Sequence, residues 1–260
     1  MDIDSIRSIS RISRSLWGDY EKALIMGSDT LSSVGLLQLD DEQTLDRTSR
    51  ALIERAEKNP PRLLALQHPF FRLAPIERFL LTALHLEHWG YTRISRVLGI
   101  ESSLIGAWAW ATRMKLCFQE SSASPDLEYP KGPTSLGPAC PEFDISSPWT
   151  QRFLDDECNP RERSFLQNHL MACPSCRKSL DATRKMIYHV ESLIPVKQAP
   201  EDTDLATSEL MRIWEAGESS FRPIRTTFAQ SLNRYFNDTK VQYALALLLF
   251  ASIVLIRRMT

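Results

Sequence analysis

The sequence predicts an all-α chain: small helical modules, one of them zinc-bound, followed by a single C-terminal transmembrane helix. Three observations carry that expectation. Apolar residues recur at helical spacing in segments that proline, asparagine and glycine punctuate. A metal-binding cluster, His169-x3-Cys173-x2-Cys176, sits at the end of one such segment. Near the C-terminus, residues 241–256 form an apolar run without a charge on any face.

Residues 1–60 read as an N-terminal helical region, with Leu45, Ala51, Leu52 and Ala56 at roughly helical spacing ahead of the breaker Asn59-Pro60-Pro61. Residues 62–118 are denser in apolar groups and divide into short helices. One starts at Pro75, a second runs from Tyr91 to Leu98 and ends at Gly99, and a third runs from about Ser102-Ser103 to Leu116. The tight turn at Gly99 makes the last two a helix-turn-helix. Residues 119–139 are rich in proline and glycine and read as a linker, whereas 140–194 return to helical patterning. Residues 195–240 are polar, interrupted by Pro195, Pro200 and Pro223, and read as a juxtamembrane linker.

The run 241–256 spans about 24 Å as a helix, short of a hydrocarbon core of about 30 Å. Lys240, Arg257 and Arg258 at its ends can snorkel, and Tyr243 suits the interface. A buried terminal helix would leave one face polar, so a membrane anchor is the better reading. Arg222, Arg225, Arg234 and Lys240 outnumber Arg257 and Arg258, which favours the N-terminal bulk in the cytoplasm and an inner-membrane location.

Composition excludes a global attraction to nucleic acid, because the formal net charge is −1 with 24% charged residues. The N-terminus shows no signal-peptide core, and five cysteines in a reducing compartment suit metal better than disulfides. His169 and Cys173 lie one helical turn apart, and Cys-x2-Cys is the bite with which two thiolates grip one tetrahedral ion, so the cluster predicts Zn2+. Asn159 as N-cap and Pro160 at the first position start a helix that ends near Ala172. That helix carries Cys158 roughly 16 Å from His169, too far for a shared zinc. If Trp149 to Asp156 packs antiparallel to it, Cys140 reaches the cluster, giving a closed site of Cys140, His169, Cys173 and Cys176 with no open position for catalysis. No catalytic motif appears, and His68, His85, His88 and His189 lack paired acids at useful spacing, so no enzyme is expected.

The stretch Phe153-Leu-Asp-Asp-Glu-Cys-Asn-Pro through His169-Leu-Met-Ala-Cys-Pro-Ser-Cys-Arg-Lys-Ser-Leu180 resembles the zinc-containing anti-sigma domain of bacteria. The resemblance implies a small helical module that binds a sigma factor and is often tethered to the inner membrane. The chain departs from that family in two places: Asp156 stands where glycine is usual, and Cys140 lies further upstream than the family's first cysteine. The run Leu73 to Leu116 resembles the fourth conserved region of sigma factors, notably in Pro75-Ile-Glu-Arg78 and in Gly90-Tyr-Thr-Arg-Ile-Ser-Arg-Val-Leu-Gly-Ile100.

In that second family the third helix enters the promoter's major groove. Here its only cations are Arg113 and Lys115, and Trp108 and Trp110 stand where polar or basic residues are common, so it is poorly equipped for DNA. The tryptophans are either a protein-binding face or core. Leu180, Ile187, Val190 and Leu193 form an apolar stripe on the helix 179–193 that is either partner surface or module core. The linker's reach of roughly 25–30 Å lets that stripe cover the tryptophans in cis. The leading expectation is a membrane-tethered regulator of transcription initiation that binds a sigma factor or an RNA polymerase-associated protein. The alternative is a promoter-binding protein regulated by its own zinc domain.

Overall fold

The computed structural model describes residues 1–35, 39–61, 65–120, 149–198 and 201–216. Among these residues every regular element is helical and no strand occurs. The chain divides into two compact units, 1–211 and 212–260, and of the second only 212–216 are described.

Helices α1 (Ile3–Trp17), α2 (Tyr20–Gly35) and α3 (Asp41–Lys58) pack on one another, and α4 (Pro75–His85) packs on α1. α1 starts where the Asp2 carboxylate accepts the Ser5 N–H at 2.7 Å, satisfying a donor that the helix cannot. Ile6, Ile9, Ile12 and Leu16 share one face and are fully buried. At about 1.5–3 kcal/mol for each such side chain, that face is the main reason the helix stays seated. Gly18 ends it with φ 73°; a Cβ there would also lie 2.6 Å from the Phe71 ring. Asp40 caps α3 in the same way as Asp2 caps α1.

α5 (Tyr91–Leu98) and α6 (Ser102–Glu120) follow α4, joined by a turn in which Gly99 takes φ 70°. The start of α4 and the bounds of α5 coincide with the sequence-based ones because their causes are local, Pro75 at a helix start and a left-handed glycine at a helix end, whereas α6 runs past the expected end at Leu116 to Glu120. Beyond the linker come α7 (Trp149–Leu154), α8 (Pro160–Ala172), α9 (Pro174–Ser192) and the short α10 (Pro195–Gln198). The Asn159 side chain accepts the Glu162 N–H while Glu162 accepts the Asn159 N–H, a reciprocal cap that starts α8. A further helix, α11, covers 201–216, within the stretch expected to be linker. Its Thr203, Ala206, Thr207 and Leu210 are buried, Asp202 pairs with Arg14, and the Thr203 carbonyl accepts from Ser10. Pro200 immediately precedes this helix, where proline is tolerated, and does not interrupt it.

α9 lies against α6. Its Met186, Val190 and Leu193 join Trp110, Leu116, Cys117, Leu81, Phe70 and Phe71 in one buried cluster, with Ile187 packed at its margin. A second cluster, Trp149, Leu166, Leu170, Cys176 and Leu180, is the core of the α7–α9 module. Among the described residues no helix is long and apolar enough to cross a membrane, and the run 241–256 lies outside them.

Candidate metal centre

Two helices meet at the cluster. α8 delivers His169 in its last turn, and Cys173 is at once the C-cap of α8 and the residue before Pro174 opens α9. Cys173 is extended, with φ −106° and ψ 103°, and its N–H still donates to the His169 carbonyl at 2.8 Å. One turn into α9 comes Cys176, which is buried. The ligand atoms of His169, Cys173 and Cys176 all lie within 4.8 Å of one another, and His169 Nε2 is 3.2 Å from Cys176 Sγ. Ligands of one tetrahedral zinc, with Zn–S about 2.3 Å and Zn–N about 2.0 Å, sit at such separations, so the donor set fits the ion.

The environment favours thiolate. Hydrogen bonds from the backbone and side chain of Cys176 hold the Cys173 thiol down at about 7. Cys158, by contrast, precedes α8 and stands outside the cluster, where burial pushes its thiol up. Trp149, the first residue of α7, belongs to the same apolar cluster as Leu170 and Cys176, and its neighbour Thr150 accepts the Thr183 hydroxyl at 3.1 Å, so the start of α7 packs on α9. Cys140, which the sequence nominates as fourth ligand, lies outside the described residues.

The turn between α7 and α8 carries Asp156 at φ 63°. That left-handed conformation costs an ordinary residue about 1–2 kcal/mol and glycine nothing, which gives a physical reason for glycine at the corresponding position of the family the stretch resembles.

Most of the remaining nominated residues are buried or half-buried; Lys115 is exposed. Trp110, Ile187 and Leu193 belong to the cluster between α6 and α9, Leu180 belongs to the module core, and Trp108 is half-buried. Arg113 is 1% exposed. Its guanidinium grips both Asp155 oxygens, at 2.9 and 2.7 Å, and its Nε–H donates to His85 Nε2 at 3.1 Å. Lys115 pairs with Glu77 at 2.7 Å. The other cations of α5 and α6 are likewise met by carboxylates, Arg93 by Asp46 at 3.0 Å and Arg96 by Glu42 at 2.7 Å. Ser102, Ser103, Leu104 and Ala107 are exposed at the start of α6 and none of them is cationic. Phosphate contacts supply most nucleic-acid affinity, and in this arrangement α6 offers no free cation for them.

Sequence reading missed the groups around Arg113. Tyr91 donates its hydroxyl to Asp155 at 2.6 Å, Glu157 accepts the Tyr91 N–H at 2.6 Å, and Gln151 donates to Tyr91 and to the Gly106 carbonyl. His85 stands between Arg113 and Glu191, whose Oε1 is 3.4 Å from Nδ1. Since an arginine Nε–H can only donate, His85 Nε2 accepts; the ring is neutral and its proton faces Glu191. Burial and the neighbouring guanidinium both push the His85 pKa down, whereas hydrogen bonding to His85 is the main cause that brings Glu191 to about 2. No local motif announces this network, because its members come from α4, α5, α6, α7, α9 and the turn before α8.

Residues 151–177 match the family model described as "Putative zinc-finger", a stretch that holds all three clustered ligands and starts after Cys140. No curated protein and no solved structure matches the chain.

Proposed function

We propose that this chain is a membrane-tethered regulator of transcription initiation that binds a sigma factor, or a sigma-like RNA polymerase-associated protein, through a zinc-stabilised helical module. The observation that carries the reading is the His169, Cys173 and Cys176 cluster at the α8–α9 junction, inside the stretch that matches a zinc-finger family. Zn2+ there is structural: it pins α8 to α9, and with Cys140 as fourth ligand the site is closed. Trp149 in the same apolar cluster as Cys176 supports that assignment. The nine-residue step from Cys140 to Trp149 can span about 30 Å, more than enough to bring Cys140 back to the cluster. No catalytic role is proposed. Residues 241–256 supply the inner-membrane anchor, with the N-terminal bulk in the cytoplasm.

The promoter-binding alternative finds less support, because carboxylates meet every cation of α5 and α6. Immobilised full-length protein, challenged with a bacterial lysate in mild detergent, tests the proposal. It predicts retention of a sigma factor, identified by mass spectrometry, that is lost in Cys173→Ser. A salt-sensitive shift of promoter DNA with no sigma factor retained would reverse the order of the two readings.

A further inference from the structure

α9 carries the apolar stripe that a partner of the zinc module would need, and in this fold the chain's own helix-turn-helix covers it. Met186, Val190 and Leu193 are buried against Trp110 and Leu116 of α6. The polar contacts that hold α5 and α6 there come largely from one short stretch, Gln151 to Glu157. Asp155 takes the Arg113 fork and the Tyr91 hydroxyl, Glu157 takes the first N–H of α5, and Gln151 donates to the Gly106 carbonyl. A Cβ on Gly106 would come within 3.0 Å of the Tyr91 ring, so the two helices approach closely where this stretch grips them.

Such an interface differs from an ordinary core. A buried ion pair contributes little net stability over apolar side chains of the same volume, yet it tolerates few alternative arrangements, so it fixes one docking geometry without making it tight. The gripping stretch also leads directly into α8, which carries His169. A single surface on α9 has room for one occupant.

We propose that α5 and α6 are an internal competitor, latched over the α9 face of the zinc module by the Arg113–Asp155 contact, so that a sigma-like partner gains that face only when the latch opens. The latch stands on the geometry alone; the identity of the partner rests on the sigma-binding reading.

Hydrogen exchange on the full chain in mild detergent, with and without a purified sigma factor, tests both parts. In Asp155→Asn, amides of residues 186–192 and 108–117 exchange about tenfold faster or more, while those of α1 keep their protection. Tyr91→Phe, which deletes one hydroxyl, shows the same pattern more weakly and decides the matter should Asp155→Asn lose α1 protection as well. The opened variant retains about tenfold more sigma factor than the wild type. Unchanged exchange in α9 overturns the proposal, as does faster exchange when the wild type retains sigma factor and the opened variant retains no more of it. Opening of α9 with no sigma factor retained by either form supports the latch and overturns the sigma-binding reading.

Discussion

Arg113 is the position where the structure makes the most demanding energetic claim. Its side chain is 1% exposed and its partner Asp155 7% exposed, and the pair is bidentate. Arg113→Ala leaves the Asp155 carboxylate buried with the Tyr91 hydroxyl and deprives His85 Nε2 of its donor. Removing one partner of a buried pair costs about 3–5 kcal/mol, because the other charge stays desolvated. For a unit of this size, each kcal/mol shifts Tm by about 2–4 °C, so Arg113→Ala is expected to melt about 6–20 °C lower. Arg96 is the internal control: its side chain is 57% exposed although it also pairs with two carboxylates, and Arg96→Ala is expected to cost about 0–1 kcal/mol. The double variant Arg113→Met/Asp155→Leu replaces both charges with apolar volume and recovers most of the loss. Thermal melts followed by circular dichroism on the full chain provide the comparison. A loss in Arg113→Ala no larger than that in Arg96→Ala would refute the buried-latch reasoning.

Acid is expected to loosen the same network through His85. Its folded pKa lies below the ordinary 6.5, so the unfolded chain takes up the proton first. Stability is therefore full above about pH 6.5 and falls as pH drops below it, a slope that urea titrations at several pH values measure and that His85→Gln should flatten. Gly99→Ala places a Cβ at φ 70° and 2.6 Å from Arg50 Nη2; calorimetry is expected to show a loss of about 1–2 kcal/mol, the long arginine moving aside. Removal of residues 241–260 should transfer the protein from the membrane fraction to the soluble one, and retention in salt-washed membranes would defeat the anchor.

Short-range features of the fold were legible because their causes are short-range. Asn159-Pro160 starts α8, Pro75 starts α4 and Gly99 ends α5 through dihedral preferences and caps that need no distant partner. The metal cluster was legible for the same reason, since a helical turn and a Cys-x2-Cys bite bring His169, Cys173 and Cys176 together unaided. By sequence Arg113 is one of only two cations that α6 could offer DNA, because charge alone suggests a solvated or phosphate-bound group. Its burial depends on Asp155, 42 residues away, across a proline-rich segment that gives no hint of docking. The His85–Glu191 contact joins residues 106 apart, beyond any pattern of spacing. The helix over 201–216 was hidden by Pro195 and Pro200, and its buried face makes sense only once α1 is in place to receive it.

Metal content tests the central claim most directly. Full-length protein purified without chelator is expected to carry about one zinc per chain, measured by inductively coupled plasma mass spectrometry; His169→Ala and Cys173→Ser should abolish it, Cys140→Ser weaken or abolish it, and Cys158→Ser leave it intact. A wild-type chain without zinc, or the same zinc content in His169→Ala and Cys173→Ser, would contradict the account.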